Sequence, residues 1–164
     1  MGANVPLVRP VDEPTIDDPA ALARAIVDAN LYMVLGTADA DGLPWASPVY
    51  FAHDEYSRFV WVSAPSSTHS RNLAVRPECS IVIFDSRVPV NNGQAVYMSA
   101  TAAEVSEADR SRVVRTYSER SQQHGAGGLT SADVEAPARL RLYVATAEEQ
   151  FVLGERDERI SVSL

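Results

Sequence analysis

The spacing of apolar side chains along the chain predicts two long helices. In the first helix the apolar positions are Leu22, Ala25, Ile26 and Ala29. Their three- and four-residue spacing places them on one face, and Asp17 or Asp18 can cap this helix ahead of Pro19. The second helix is predicted over 107–120, where the apolar positions are Val113, Val114 and Tyr117.

Apolar and β-branched runs elsewhere predict strands. They lie at 31–37, 43–52, 59–63, 79–84, 94–105 and 140–153, with a short last strand at 160–164. The polar segment 39–42 predicts a hairpin turn in which Gly42 takes a positive φ. Pro44 and Pro48 cannot donate ladder hydrogen bonds, so their strand is predicted to lie at a sheet edge or to contain a bulge.

The remaining segments predict turns and loops that connect these elements. Residues 53–58 are predicted to form a turn, and Ser66 or Ser67 caps a short helix that ends near Val75. Residues 124–128 predict a flexible loop, followed by a polar stretch to Pro137. Six or seven strands joined by short turns, with few helices, predict a mainly β fold, an antiparallel barrel with flanking helices.

The first residues of the chain predict an arm that precedes a single domain. Pro6, Pro10 and Pro14, with several acidic residues and little periodicity, predict an extended arm over 1–17. This arm is expected to lie on the surface or across a partner. Residues 18–164 are then predicted to form one domain.

Composition and charge exclude several classes of function. The 164 residues are 46% hydrophobic and carry a formal net charge of −8, which argues against nucleic-acid binding because phosphate neutralisation needs clustered cations. All 14 basic residues are arginine, so a lysine nucleophile or Schiff base is excluded. No apolar run approaches a membrane span, and the start resembles no secretion signal. A cytoplasmic protein without a membrane partner is expected.

A hydroxyl-rich turn at 63–72 is the first candidate for chemistry. The end of a strand and the start of a helix enclose Ser63, Ser67, Thr68, His69, Arg71 and Asn72. Backbone amides at a helix start attract anions, hydroxyls add donors, and His69 or Arg71 adds positive charge. The pattern is typical of a phosphate site, although a serine cap with scattered surface hydroxyls, the commoner feature, gives the same pattern.

The aromatic and apolar strand at 45–51 is the second candidate. Interrupted by proline, it could form a flat wall for a planar ring, but such strands are more often core or dimer interface. Other sites are not indicated. The histidines His53, His69 and His124 are isolated, so no metal site is expected. Cys79 lies in an apolar strand and is expected to be an inert, buried thiol. No residue is assigned a catalytic role.

The order of these motifs resembles a known superfamily. The segments are LYMVLGTADADGLPWASPVYF, FVWVSAPSSTHSRNLAVRPECSIVIF, GQAVYMSATAAEV and RLYVATAEEQFVL. They look like the pyridoxamine 5′-phosphate oxidase-like, FMN-binding split β-barrels, which include deazaflavin-dependent reductases. The resemblance covers about residues 20–163 and implies an antiparallel split barrel.

The resemblance implies roles for individual residues. Ser63 matches a family hydroxyl, and Ser67, Thr68 and His69 match its Ser-Arg-Lys phosphate grip, with both cations replaced. Ser47 stands where the true oxidases carry arginine, within a strand that lines the flavin ring.

Further departures concern the substrate and the ring. Ala52 replaces the lysine that holds the substrate phosphate in the true oxidases, and their Arg-x-His pair is Arg159-Ile160-Ser161 here. Phe151 matches the family tryptophan over the flavin, and Gln94 lies one residue from the family glutamine. These departures argue against pyridoxamine phosphate as the substrate.

The resemblance therefore implies an FMN-dependent oxidoreductase of an unidentified small molecule. Family members are homodimers with cofactor sites at the interface. Two alternatives remain, a deazaflavin-dependent reductase and a non-enzymatic flavin or haem carrier or interaction module. The candidate cofactor-binding residues are Ser47, Pro48, Val49, Tyr50, Trp61, Val62, Ser63, Ser67, Thr68, His69, Arg71, Asn72, Gln94 and Phe151.

Overall fold

The computed structural model describes residues 17–154 and 157–164. The predicted amino-terminal arm, apart from Asp17, lies outside the described residues. The helices are α1 (Pro19–Ala29), α2 (Thr68–Val75) and α3 (Glu107–Gln123), with a 3₁₀ turn at Ser131–Val134. The strands are β1 (Tyr32–Ala38), β2 (Pro44–Tyr50), β3 (Ala52–Asp54), β4 (Arg58–Ser63), β5 (Glu78–Phe84), β6 (Ala95–Glu104), β7 (Arg141–Leu153) and β8 (Arg159–Val162).

All eight described strands belong to one antiparallel sheet. Their order is β2-β1-β5-β6-β7-β4-β3, and β8 pairs with β7. The sheet curls so that β2 also contacts β4, although the two strands are far apart in the pairing order. The predicted mainly β fold, an antiparallel split barrel with flanking helices, is confirmed.

The second predicted strand differs from the structure. It was expected over 43–52 with a turn at 53–58, but β2 ends at Tyr50 and the separate strand β3 begins at Ala52. The turn itself is short, and Glu55 and Tyr56 adopt positive φ angles of 50° and 53° there. Left-handed backbone at two non-glycine residues has no sequence signature. The described residues therefore form eight strands, whereas the sequence predicted six or seven.

The loop after α3 also differs from the expectation. The segment that follows residues 124–128 was predicted as a polar stretch to Pro137 with no helical element, and the 3₁₀ turn at Ser131–Val134 lies within it. Val134 is buried there against a small cluster beneath α3. Asp133 also accepts hydrogen bonds from the amide and the hydroxyl of Thr130, both at 2.7 Å, and these bonds close the start of the turn.

The hairpin predictions are confirmed. Pro44 and Pro48 lie in β2, which is an edge strand of the described sheet, so their missing amide donors leave no ladder bond unmade. Gly42 has a φ of +87° in the preceding turn. Asp39 closes this turn by accepting a hydrogen bond from the Leu43 amide at 2.9 Å.

Most of the core lies inside the curl of the sheet. The largest fully buried side chains are Trp61, Phe51, Phe59, Met33, Leu35, Ile81, Ile83, Leu142, Val27, Val60, Val96 and Val152. Alternate residues of β4 face opposite ways, so Phe59 and Trp61 pack in the main core while Val60 packs beneath α3. Strand β4 is thus buried on both faces and ends in a fixed position at Ser63.

Helix α1 is fixed at both ends. Asp18, one of the two predicted caps, accepts a hydrogen bond from the Ala21 amide at 2.9 Å. At the other end, Arg120 of α3 donates to the carbonyls of Val27 at 3.2 Å and Asn30 at 2.9 Å. The Arg120 guanidinium also lies over the Phe51 ring. It therefore joins α3 to α1 and to the core.

Helix α2 is anchored to β1 and the hairpin. The buried Asn72 amide donates to the Thr37 hydroxyl at 3.1 Å. Arg76, just beyond the helix, donates to the carbonyls of Asp39 and Ala40 at 3.2 and 3.3 Å. These contacts hold the middle and the end of α2 against β1 and the hairpin turn. None of the helices in the described part of the chain is long and apolar enough to span a membrane.

Candidate functional site

The site is built where β4 turns into α2. Strand β4 ends at Ser63 and α2 begins at Thr68, with Ser67 as its cap. The Ser67 hydroxyl accepts a hydrogen bond from the Ser70 amide at 3.3 Å, as expected for a serine at this position. Of the two predicted caps, Ser66 and Ser67, the structure selects Ser67.

The His69 ring contacts three serines that belong to three segments of the chain. Its Nδ1 lies 3.1 Å from Ser47 Oγ on β2. Its Nε2 lies 2.7 Å from Ser63 Oγ at the end of β4 and 3.1 Å from Ser67 Oγ at the cap. We call His69 and these three serines the serine–histidine cluster. The cluster joins β2 to β4 at the start of α2.

Three further side chains extend the serine–histidine cluster. Trp45 Nε1 donates to Ser47 Oγ at 3.0 Å, and Ser67 Oγ donates to Ser70 Oγ at 2.8 Å. Burial raises the pKa of Tyr143, the nearby Ser70 hydroxyl lowers it, and the Tyr143 ring stacks on Trp61. Ser70 lies three residues after the serine cap, where a cap hydroxyl accepts from the backbone amide, so the spacing could have placed it beside Ser67. No sequence signal connects Tyr143 to this turn.

The serine–histidine cluster is neutral in its interior and has one cation beside it. Burial lowers the pKa of His69 below its ordinary value, so the ring is uncharged near neutral pH. The Arg71 guanidinium donates to the Ser66 carbonyl, and its second nitrogen lies 3.5 Å from the Thr68 hydroxyl. Arg71 is exposed. It therefore places positive charge next to the helix start, where an anion would also meet backbone amides.

The other predicted residues of β2 lie away from the cluster. Tyr50 donates to or accepts from His124 Nδ1 at 3.0 Å, and its ring packs edge-on against Tyr32 and Tyr117. Val49 is part of the main core, and Pro48 is exposed on the opposite face of the strand from Ser47. Of this strand's predicted residues, Ser47 alone contacts His69.

The remaining predicted residues are distributed over the sheet. Trp61 is fully buried in the core, and its Nε1 has no hydrogen-bond partner among the described residues. Asn72 faces Thr37, and Val62 is half-buried next to Ser63. Gln94 precedes β6, and its buried Oε1 likewise lacks a partner in the part of the chain that the structure describes. Phe151 pairs with Tyr97 across β6 and β7. No described contact joins Gln94 or Phe151 to the serine–histidine cluster.

An open groove of about 590 Å³ adjoins the serine–histidine cluster through Trp45. Its lining residues are Gly36, Thr37, Ala38, Pro44, Trp45, Ala46, Glu78, Cys79 and Ser80. The lining is mostly apolar, and it lies where β1 and β5 separate after Gly36 and Ser80. Because Trp45 Nε1 bonds Ser47, one side chain touches both features.

The described residues offer no arranged metal site. Within 17–154 and 157–164, no three side chains of histidine, cysteine, aspartate or glutamate are grouped to hold an ion. His53 instead bonds Asp28 at 3.2 Å and stacks on Tyr56. Cys79 is half-buried, and burial followed by the nearby Glu148 charge raises its thiol pKa to about 11. A thiol with this pKa is a poor nucleophile, as the sequence indicated.

Comparison with known proteins identifies the family. The family model described as pyridoxamine 5′-phosphate oxidase matches residues 20–153, which span the whole site. The chain belongs to the pyridoxamine 5′-phosphate oxidase family. The predicted resemblance is confirmed, and the family match includes β2, β4 and α2, on which the serine–histidine cluster is built. No curated protein matches this chain.

Several solved structures share this fold at low sequence identity. A heme binding protein from Mycobacterium smegmatis is 19% identical, with a TM-score of 0.69 over 96% of this chain and 60% of its own. HutZ, the heme storage protein from Vibrio cholerae, is 22% identical, with a TM-score of 0.62 over 79% of this chain and 90% of its own. An F420 reductase is 18% identical, with a TM-score of 0.56 over 79% of this chain and 94% of its own. The chain thus spans 60% of the mycobacterial protein's length.

Proposed function

We propose that this protein binds FMN and is an oxidoreductase acting on a small molecule other than pyridoxamine phosphate. The serine–histidine cluster at the start of α2 is the observation that carries this proposal. Its hydroxyls, the adjacent helix amides and Arg71 are the groups that bind a phosphate monoester in proteins. FMN, when bound, supplies hydride or electron transfer, while the protein binds and orients it.

The donor set of the site fits a phosphate. Hydroxyls of Ser63 and Ser67 lie 2.7 and 3.1 Å from the same histidine nitrogen, so both are held at the first turn of α2. The exposed Arg71 guanidinium is fixed over this turn through Ser66 and Thr68. An incoming phosphate would therefore meet donors whose positions are already set, which reduces the entropy lost on binding.

The flavin ring is proposed to lie along segments 47–50 and 61–63. These two segments meet at the serine–histidine cluster, because Ser47 and Ser63 contact opposite nitrogens of His69. The exposed face of β2 would then be covered by a second protomer, with a cofactor site at each interface. Ala52 is fully buried and offers no charge for a substrate phosphate. The substrate is accordingly proposed to lack this group.

Haem binding is the second candidate function. The structural likeness to proteins named for heme binding and heme storage supports it. His124 is the histidine suited to it, since it is exposed and its Nδ1 is held by the Tyr50 hydroxyl at 3.0 Å. A hydrogen bond at one ring nitrogen orients the other toward a metal. Both nitrogens of His69, in contrast, already contact serines.

Titration with four probes separates the candidates. FMN, riboflavin, the deazaflavin F420 and hemin are added separately to the purified protein, and absorbance and fluorescence are recorded. The proposal expects saturable FMN binding at one per chain, with weaker binding of riboflavin because it lacks the phosphate. Binding of F420 but not FMN would select a deazaflavin-dependent reductase. A Soret band that His124→Ala abolishes, without FMN binding, would select the haem carrier.

A further inference from the structure

Among the described residues, both ring nitrogens of His69 form hydrogen bonds only with hydroxyl groups. The residue is 8% exposed, and its partners are Ser47 at Nδ1 and Ser63 and Ser67 at Nε2. A hydroxyl can donate or accept a hydrogen bond. The same three serines can therefore satisfy a neutral ring or a protonated one, and only the hydroxyl hydrogens need to rotate.

The ring has no charged neighbour that would fix its protonation state. In the described part of the chain, β2 presents Ser47 to it and β4 presents Ser63, while Trp45 of β2 contacts Ser47. Helix α2 presents Ser67 and Ser70, and its Arg71 turns away onto the Ser66 carbonyl and the Thr68 hydroxyl. No carboxylate or cation in the described residues contacts the imidazole.

Strands β6 and β7 carry more distant titratable groups near α2. Burial raises the pKa of Tyr143 on β7, and the nearby Ser70 hydroxyl lowers it. Arg141 of β7 and Glu104 of β6 form an ion pair at 3.6 Å. Burial is what shifts the pKa of His69, so the ring is free to respond to a charge that binds beside it.

We propose that His69 takes up a proton from solvent when a phosphate monoester binds at the serine–histidine cluster, so that the phosphate is held against an imidazolium. This inference rests on the proposed function, because it assumes that the phosphate of FMN occupies this site. The imidazolium charge is then acquired on binding and adds to the charge that Arg71 already places beside the helix start.

The hydrogen-bond donors and acceptors around the His69 ring favour a coupling of proton uptake to phosphate binding. The Ser67 hydroxyl hydrogen is directed to Ser70 Oγ. A neutral imidazole has one nitrogen lone pair, so Ser63 or Ser47 must donate to it. A protonated ring donates at both nitrogens, and the hydrogen of that serine becomes available to the phosphate. Protonation thus adds one hydrogen-bond donor and one positive charge to the site.

The two states of the site differ in what stabilises the ring. Without an anion, burial lowers the pKa of His69, and the ring is neutral at pH 7. A phosphate dianion beside a desolvated imidazolium is favoured by Coulomb attraction, which is stronger away from water. The pKa of His69 therefore rises on binding. At pH values between the His69 pKa of the free protein and that of the complex, the dissociation constant for FMN increases up to about tenfold for each unit by which the pH rises.

The test compares pH profiles of matched variants. FMN dissociation constants are measured by fluorescence quenching between pH 7 and pH 9, where the FMN phosphate, with a second pKa of about 6, stays dianionic. Wild type and His53→Gln, a control histidine outside the site, should weaken together as the pH rises. His69→Gln, which stays neutral, should bind weakly with a flat profile. Riboflavin should bind independently of pH to all three proteins.

A second measurement on wild type covers the case in which His69→Gln does not fold. NMR of ¹³C-labelled histidine follows the His69 ring through a pH titration with and without FMN. On FMN binding the His69 pKa is expected to rise by about one unit or more, from below its ordinary value of 6.5 into the pH 7–9 range of the binding measurements. Saturable FMN binding with equal slopes in wild type and His69→Gln, or with an unchanged His69 pKa, would overturn the inference alone. No FMN binding at any pH would overturn both it and the proposed function.

Discussion

Arg71 and Ser67 are one helical turn apart in α2 but act differently on a phosphate. The Arg71 guanidinium is exposed, and its nitrogens bond Ser66 and Thr68. Ser67 both caps the helix and contacts His69 Nε2 at 3.1 Å. Arg71 therefore contributes charge that helix stability does not require, whereas removal of the Ser67 hydroxyl affects stability and binding together.

Arg71→Ala is expected to weaken FMN binding by about 1–3 kcal/mol, the range for a charge-assisted hydrogen bond. Riboflavin binding should not change, because the lost partner is the phosphate. The matched control is Arg115→Ala, which removes an exposed arginine of α3. To remove the Ser67 hydroxyl with little effect on stability, the variant Ser67→Gly is preferred, since glycine at a helix cap costs only a few tenths of a kcal/mol of helix stability. Unchanged FMN affinity in Arg71→Ala would place the phosphate elsewhere.

The buried histidines predict a loss of stability in mild acid. Burial lowers the pKa of His69, and burial followed by the Arg120 charge lowers that of His53. The unfolded chain, with histidine pKa values of about 6.5, therefore binds these protons first as the pH falls. The melting temperature of the FMN-free protein should fall as the pH drops below this value. His69→Gln should show a shallower decrease, and equal slopes would contradict the assignment.

Local spacing in the sequence predicted three of the four members of the serine–histidine cluster, and the fourth, Ser47, lies on a distant strand. Ser63, Ser67 and His69 lie within seven residues of one another at a strand-to-helix turn, so the turn pattern placed them together. Ser47 lies 22 residues before His69, and the resemblance to the family pointed to it. Tyr143 had no such pointer, because only the β4–β7 pairing brings it under Trp61.

Strand β1 has a close contact with β5 that constrains its sequence. Gly36 pairs with Ser80, and a Cβ added at Gly36 would lie 2.4 Å from the Ser80 Oγ but 3.7 Å from the Ser80 Cβ. The obstacle is therefore one hydroxyl oxygen. The contact lies at the groove beside Trp45, so it also sets how closely β1 and β5 approach there.

Gly36→Ala is expected to lower the free energy of unfolding by about 1 kcal/mol, the low end for overpacking, since the Ser80 hydroxyl can rotate away. In the Ser80→Ala background the same change should be neutral or stabilising, because alanine lowers the entropy of the unfolded chain. Urea denaturation of the four proteins of this double-mutant cycle measures the coupling. Equal effects of Gly36→Ala in both backgrounds would show that the hydroxyl is not the obstacle.

Elements with strong apolar patterning were predictable, and those set by single contacts were not. The strands β4, β5, β6 and β7 lie within one or two residues of their predicted bounds. Strand β3 was missed because His53 and Asp54 carry no β pattern. Its pairing with β4 is instead fixed by the positive φ angles at Glu55 and Tyr56.

The exposed face of the sheet bears on the assembly of the protein. On the face that carries Ala46 and Pro48, Tyr32 is 60% exposed and Phe84 46%. Ala46 and Pro48 are exposed on the edge strand β2, whose backbone is paired on one side only in the described sheet. Contiguous apolar surface next to an edge strand is typical of an interface. We therefore expect a homodimer in which this surface is buried.

Sedimentation equilibrium is expected to give twice the 17.8 kDa chain mass. Ala46→Asp places a charge in the middle of this surface and should yield monomers, because a buried, unpaired carboxylate costs several kcal/mol. The control is Ala132→Asp, at an exposed position of the 3₁₀ turn. Since Ser47, adjacent to Ala46, contacts His69, the monomeric variant should also bind FMN more weakly if the cofactor lies at the interface. A monomer with wild-type FMN affinity would place the whole cofactor site within one chain.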